Sequence, residues 1–228
     1  MIVAIDGPAG AGKSTVARTV ARRLGVAYLD TGAMYRALTW LAQQRGIAPS
    51  DADGLAALAR DEPIGIEPTD DGDRVRIAGR DVTEAIRAPE VAAQVSEVSA
   101  HPGVREEMVA AQRALLSRGS WVSDGRDVGT VVCPEAELKV FLTASLEERA
   151  RRRRADLAAR GVELSPERVL EDVRARDHSD STRAASPLRV AEGAVVVDSS
   201  ELDADEVADL VVSLAEDLGE RDGEQEGP

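Results

Sequence analysis

The sequence predicts an α/β fold, a parallel β-sheet flanked by helices, on three observations. Short apolar runs recur between longer helical patterns along the chain. The first run, Ile2–Ile5, leads directly into a glycine-rich stretch, Gly-Pro-Ala-Gly-Ala-Gly-Lys-Ser, over residues 7–14. That stretch leads directly into the helical pattern Val16, Val20, Ala21 and Leu24. Strand, loop and helix in this order describe a phosphate-cradling turn at the carboxyl end of a parallel strand.

The remaining elements follow in chain order. Strands are expected at Ile2–Ile5, Val26–Leu29, Trp121–Ser123, Leu138–Leu142 and Ala194–Val197, as near-continuous apolar runs suited to burial on both faces. Helices are expected at Ser14–Leu24, Met34–Gln44, Pro89–Ala100, Val104–Arg118, Ser145–Arg160, Pro166–Arg176 and Asp203–Leu218, with Gly25 closing the first. Between Pro63 and Thr83 the apolar period shortens to two: Ile64, Ile66, Val75, Ile77 and Val82 alternate with polar residues around Asp70–Asp73 and Ala78-Gly79. This stretch predicts a small antiparallel hairpin or three-stranded sheet inserted beside the main one. From Gly219 onward the chain has no apolar anchor, so residues 219–228 are expected to be a disordered tail.

The loop's residue types explain its chemistry. Gly7, Gly10 and Gly12 let successive backbone N–H groups curl around phosphate oxygens, with Pro8, Ala9 and Ala11 between them. Lys13 adds a positive charge at the β/γ end of a nucleotide, and Ser14 opens the helix with a hydroxyl suited to Mg²⁺. Thr15 completes the expected ATP-binding stretch.

Composition narrows the partners. The 228 residues are 43% hydrophobic and only 2% aromatic, enough for a sizeable core filled by aliphatic side chains. A net charge of −14 argues against general affinity for nucleic acid or anionic membrane, so substrate phosphates must be met by local basic clusters. Of 28 basic residues only Lys13 and Lys139 are lysines. Cys133 is the single cysteine, so no internal disulfide can form. No uninterrupted apolar stretch reaches the roughly 18 residues that span a bilayer, and the expectation is a cytoplasmic protein.

Three further clusters fit phosphate chemistry. Asp30-Thr31-Gly32-Ala33-Met34-Tyr35-Arg36 leaves the second strand and opens a helix; the acid and hydroxyl suit a cap, and Arg36 can reach a second phosphate. Ser123-Asp124-Gly125-Arg126-Asp127 occupies the same position after the third strand, which places Asp124 near the metal's second shell of ligands and Arg126 on a phosphate. Arg149, Arg152 and Arg153 share one helix face, and a mobile arginine-bearing lid over the transferring group explains them best. Arg176, Asp180 and Arg183 lie in a polar segment that suits the lid's returning limb.

The blocks Gly7–Ser14, Leu29–Arg36, Asp124–Val132 and Arg174–Arg183, taken together and in order, resemble the bacterial cytidylate kinases. The likeness runs from Ile2 to about Leu218, and the last two blocks are far more specific than the loop. It implies a P-loop nucleoside monophosphate kinase with a core of residues 1–36, 101–148 and 177–218, a monophosphate-binding insertion at 37–100 and a lid at 149–176. It implies ATP, with Mg²⁺, as phosphoryl donor and CMP, with dCMP, as acceptor. It further implies that Thr31, Arg36 and Arg126 meet the acceptor phosphate and that Asp180 accepts from the ribose. Ser96, Arg105, Asp127 and Arg183 would surround the cytosine, whose amino donor suits a carboxylate and whose ring acceptors suit an arginine. Lys13, Arg126, Arg149, Arg153 and Arg176 would carry the phosphoryl transfer, and family members are generally monomers. The family loop often reads Gly-Lys-Gly, where this chain has Ser14 after Lys13.

Two alternatives are weighed beside it. A P-loop kinase for another nucleotide or small acceptor is opposed only by Arg105, Asp127 and Arg183. A guanine-selective switch of the common type needs an Asn-Lys-x-Asp motif, and this chain contains no asparagine.

Overall fold

A computed structural model describes residues 1–67, 69, 73–159 and 161–225. The chain runs β1 (Ile2–Asp6), α1 (Lys13–Leu24), β2 (Ala27–Asp30), α2 (Thr31–Gln44), α3 (Ala52–Asp61), β3 (Ile64–Glu67), β4 (Arg74–Ile77), β5 (Arg80–Asp81) and a 3-10 turn (Ala85–Arg87). It continues through α4 (Pro89–Val98), α5 (Pro102–Leu116), β6 (Trp121–Gly125), a π-helical turn (Val128–Val132), β7 (Leu138–Thr143), α6 (Leu146–Ala158), α7 (Pro166–Thr182), β8 (Val195–Asp198) and α8 (Ala204–Gln225). Five parallel strands form the main sheet in the order β2-β6-β1-β7-β8, and β3-β4-β5 form the antiparallel insertion.

Period-two alternation along β1 feeds two cores. Val3 and Ile5 join α1 and α8 through Val16, Val20, Val207 and Val211. Ala4 faces the opposite layer, where Leu29, Met34, Leu38 and Met108 pack. Ile64, Ile66, Val75 and Ile77 belong to that same cluster, so the insertion shares a core with the main sheet. Its β4–β5 turn has positive φ at both central residues, Ala78 (51°) and Gly79 (73°), the geometry that matches the twist of a two-residue hairpin. Trp121 and Trp40 lie in or against this core.

Several boundaries differ from the sequence reading. Helix α2 begins at Thr31 rather than Met34 because Asp30 accepts a hydrogen bond from the Ala33 amide (2.8 Å) and so caps it early. Helix α3 is an addition, capped by Asp51 on the Gly54 amide (2.9 Å) and anchored by Leu55, Leu58 and Ala59. Helix α7 does not end at Arg176: it runs through the polar segment to Thr182, where Ser181 and Thr182 donate to the carbonyls one turn back, both at 2.7 Å. The lid limits expected at 149 and 176 therefore fall inside helices α6 and α7. Helix α8 continues past Leu218 to Gln225, which corrects the disordered tail that was expected from Gly219; residues 226–228 lie outside the described residues. So do Arg160 and the Asp70–Gly72 part of the insertion hairpin.

Leu38 is wholly buried between the main sheet and the insertion. Leu38→Ala is expected to cost about 2–5 kcal/mol, the range for emptying such a site, as measured by urea denaturation.

Candidate active site

The strand order reverses about β1, with β2 and β6 on one side and β7 and β8 on the other, and a crevice outside the carboxyl ends of the strands is the binding position such sheets provide. The loop after β1 crosses that crevice in close quarters. A Cβ on Gly7 (φ 153°) would lie 1.9 Å from the Leu142 carbonyl oxygen, and one on Gly10 (φ 78°) 2.8 Å from that of Arg149. Only glycine fits either position.

Lys13 is buried at the start of α1, and its Nζ donates to the Pro8 carbonyl at 2.8 Å, folding the side chain back over the loop. Burial, reinforced by the Arg126 charge, pushes its ammonium down to about 7 against the pull of Asp124, Asp180 and Asp6. Asp124, at the end of β6, accepts from Ser14 Oγ (2.9 Å) and from Tyr28 Oη (2.6 Å). Its carboxyl rises to about 6, chiefly through burial and then through the nearby Asp30 charge. Asp30 itself is ion-paired with Arg36 at 2.8 Å; burial raises its carboxyl, but Arg36 and the Ala33 amide outweigh this and hold it below the usual range.

Beyond Asp124 four guanidinium groups face two carboxylates. Arg105 donates to Asp127 at 2.5 Å, Arg126 donates to Asp180 at 2.8 Å, and Arg183 lies 3.7 Å from Asp127 and 3.9 Å from Asp180. Arg105 also stacks 5.2 Å from the Tyr35 ring centre. Arg176 completes the set: burial and then Arg126 lower its guanidinium to about 10, and its Nε is buried with no hydrogen-bond partner. Positive charge is thus concentrated and under-neutralised beside Lys13, an arrangement that favours anions with several phosphates.

Helix α6 closes the other side. Arg149 is buried and donates to the carbonyls of Ala144 (2.9 Å) and Ala9 (3.2 Å) and to Asp177 (2.5 Å).

A family model for cytidylate kinase matches residues 3–217. The chain belongs to the cytidylate kinase family. A cytidylate kinase of Carboxydothermus hydrogenoformans is 51% identical over 221 residues, covering 97% of this chain and 98% of that protein. One from Geobacillus sp. (strain WCH70) is 49% identical over 212 residues, covering 93% and 95%. A bifunctional pantoate ligase/cytidylate kinase of Synechococcus sp. (strain JA-3-3Ab) is 51% identical over 225 residues, and the match spans 97% of this chain but 42% of that longer protein. A solved structure of an uncharacterized protein from Eubacterium ventriosum ATCC 27560 shares the fold, with a TM-score of 0.52 at 11% identity over 94% of this chain and 97% of that one.

Within this cytidylate kinase family member, most of the residues singled out from the sequence converge. Lys13, Ser14, Asp124 and Arg126 meet at the loop, and Arg105, Asp127, Asp180 and Arg183 form one buried network next to Arg176. The others have partners of their own. Arg149, expected on a lid, uses Nε on Ala144 and one terminal nitrogen on Ala9 and Asp177, and so ties the root of helix α6 to the loop. The Thr31 hydroxyl donates to the Asp124 carbonyl at 2.8 Å. Arg105 meets the α4–α5 connection through the Ser99 carbonyl (3.2 Å), one turn beyond Ser96. Thr15 faces outward.

The sequence holds no sign of Tyr28 or Asp6, which act across 96 and more than 120 residues of chain. It places Arg152 on a lid face shared with Arg149, whereas the guanidinium donates to the Ala11 carbonyl and to Ser199. Asp6 accepts from the amides of Val128 (2.8 Å) and Gly129 (2.7 Å), which begin the π-helical turn after Asp127. Burial lifts its carboxyl to about 6 despite those two bonds.

A carboxyl raised in the folded state contributes stability that is complete below the unfolded value near 3.8 and is lost as pH rises through about 6. Asn at this position has no such titration. Between pH 4 and pH 7 the wild-type chain is therefore expected to lose stability relative to Asp6→Asn by on the order of 2 kcal/mol. Parallel pH profiles in a series of urea denaturations would contradict this.

Proposed function

We propose that this chain transfers the γ-phosphoryl group of ATP to CMP, and to dCMP, giving ADP and the corresponding diphosphate. The observation that carries the reading is the buried Arg105–Asp127–Arg183 set lying one network away from Lys13 and the loop. A carboxylate between two guanidinium groups complements cytosine, which offers one amino donor beside ring acceptors.

In this reading the loop amides of residues 7–14, with Thr15, and Lys13 hold the donor's β- and γ-phosphates. The acceptor phosphate lies against Arg36, Arg126 and Thr31, the ribose against Asp180, and the base among Ser96, Arg105, Asp127 and Arg183. The unliganded pairing of Arg126 with Asp180 gives way in part to the anion, which offers the guanidinium a second partner. The acceptor is a phosphate monoester with a second pKa of about 6, already an anionic nucleophile near neutral pH, so no general base is required. Catalysis is then in-line positioning plus neutralisation of charge by Lys13, Arg126, Arg153 and Arg176, with Arg149 acting from the base of the lid. The functional division is a core of 1–36, 101–148 and 177–218, a monophosphate-binding insertion at 37–100 and a lid at 149–176, in a cytoplasmic monomer. Among the described residues no helix is long and apolar enough to cross a membrane.

Ser14 Oγ and the Asp124 carboxylate, 2.9 Å apart, form an all-oxygen donor set that fits Mg²⁺, with Ser14 as the direct ligand and Asp124 behind it. When bound, Mg²⁺ would supply neutralisation of the donor's phosphate charge. Tyr28 holds the other Asp124 oxygen and fixes which way the carboxylate faces.

The test is ADP production with ATP and a panel of CMP, dCMP, UMP, AMP, GMP and shikimate; equal turnover of UMP and CMP would contradict the base assignment. Lys13→Ala is expected to lower turnover by at least about a hundredfold in a chain that still folds, on the scale of one preorganised charge, and near-normal turnover would remove that role. Asp127→Ala is expected to erode the CMP-over-UMP ratio of kcat/KM by roughly 1–3 kcal/mol, the discrimination of one such contact. The ratio isolates recognition from any loss of folded protein, which lowers both rates alike.

A further inference from the structure

The loop's phosphate chemistry depends on which way its peptide planes face. In a planar trans peptide the C=O and the N–H point in opposite directions, so a grip on one sets the other. Three carbonyls of this loop are gripped by side chains, two of them from helix α6. Lys13 Nζ donates to Pro8 O (2.8 Å), Arg149 to Ala9 O (3.2 Å) and Arg152 to Ala11 O (3.4 Å). The amides sharing those planes, of Ala9, Gly10 and Gly12, are thereby turned the opposite way.

Arg152 stands at the meeting point of three segments. Its Nε donates to Glu148 on the same helix (2.7 Å), one terminal nitrogen donates to Ser199 Oγ (3.0 Å) as well as to Ala11 O, and the other donates to Ser199 O (2.5 Å) in the β8–α8 turn. Ser199 is buried, and its amide and hydroxyl both reach the Thr143 carbonyl at the end of β7 (2.8 and 3.0 Å). Its hydroxyl also lies 3.4 Å from Ala11 O, but with one hydrogen to donate it cannot serve both carbonyls at once. Without the guanidinium, Ala11 O would keep only the distant Ser199 hydroxyl, which Thr143 O also draws on, and Ser199 O only the Leu202 amide at 3.3 Å. A lysine point charge does not span them, whereas the planar fork does.

We propose that Arg152 is a positioning residue for phosphoryl transfer: it holds the Ala11–Gly12 peptide with its carbonyl outward, so that the Gly12 amide faces the donor's phosphates. This rests on the reading that the loop binds the ATP triphosphate. Arg152 acts through the loop and touches neither base nor acceptor.

The experiment is isothermal titration of ATP, and separately of inorganic tripolyphosphate, into wild type, Arg152→Ala, Arg152→Lys and Ser199→Ala, together with KM for CMP. Arg152→Ala is expected to weaken ATP and tripolyphosphate alike by about tenfold or more, with KM for CMP within about twofold of wild type. Arg152→Lys recovers part of the loss, and Ser199→Ala shows a smaller loss in the same direction. Wild-type tripolyphosphate affinity in Arg152→Ala overturns the proposal, including the case in which ATP alone weakens, because that outcome assigns Arg152 to the nucleoside. A parallel loss of CMP affinity overturns it too. If Arg152→Ala does not fold, unchanged tripolyphosphate binding in both Arg152→Lys and Ser199→Ala has the same force. A wild-type chain that binds ATP but does not phosphorylate CMP sinks the acceptor reading while leaving these titrations decisive for Arg152.

Discussion

The crowding of Lys13 and four largely desolvated guanidinium groups at one end of a parallel sheet, with too few carboxylates beside them to balance the charge, is the constraint around which this structure is organised. Taking cations out of water is costly, and the cost shows in the lowered proton affinity of Lys13 and Arg176. The fold meets that cost by bringing Asp6, Asp124, Asp127 and Asp180 to the same spot from three separate stretches of chain. The remaining excess of positive charge suits the cluster to an anion.

The architecture supplies this arrangement through its topology. Because β1 lies between β6 and β7, the residues that follow β1 and β6 emerge side by side, and the loop reaches Asp124 through Ser14. The turn after β6 is then held by the carboxylate that ends β1, since Asp6 accepts from Val128 and Gly129. On the far side, α6 and α7 form a small apolar unit of their own through Ala150, Val169 and Val173. Arg149 ties its base to the loop and to Asp177. This pair of helices thus has a root fastened to the loop and only a small apolar cluster of its own farther out.

The phosphate loop, the order of strands and helices and the inserted antiparallel sheet were all legible in the residues. Each is written in local signals: glycine spacing, apolar period and turn composition. The four blocks that resemble cytidylate kinases also located nearly all of the polar cluster, because charged residues at strand ends have little to do in a sheet except meet a ligand or cap a helix. Less was legible where one segment answers another far away in sequence. Nothing in Val128–Val132 announces a π-helical turn, since its first amides are satisfied by Asp6 at the other end of the domain. Nothing local says that Tyr28 orients Asp124, that Arg149 reaches the Ala9 carbonyl of the loop, or that the polar run through Thr182 stays helical.

The sequence by itself determined the fold class and the chemistry at the loop, because backbone freedom at Gly7 and Gly10, the charge of Lys13 and the strand–turn–helix order are properties of neighbouring residues. Only the tertiary structure decided how the charges are shared. Whether an arginine meets substrate or braces a carbonyl depends on what lies within reach of its guanidinium, and for Arg149, Arg152 and Arg183 those partners come from elements that the chain brings together only when the sheet closes.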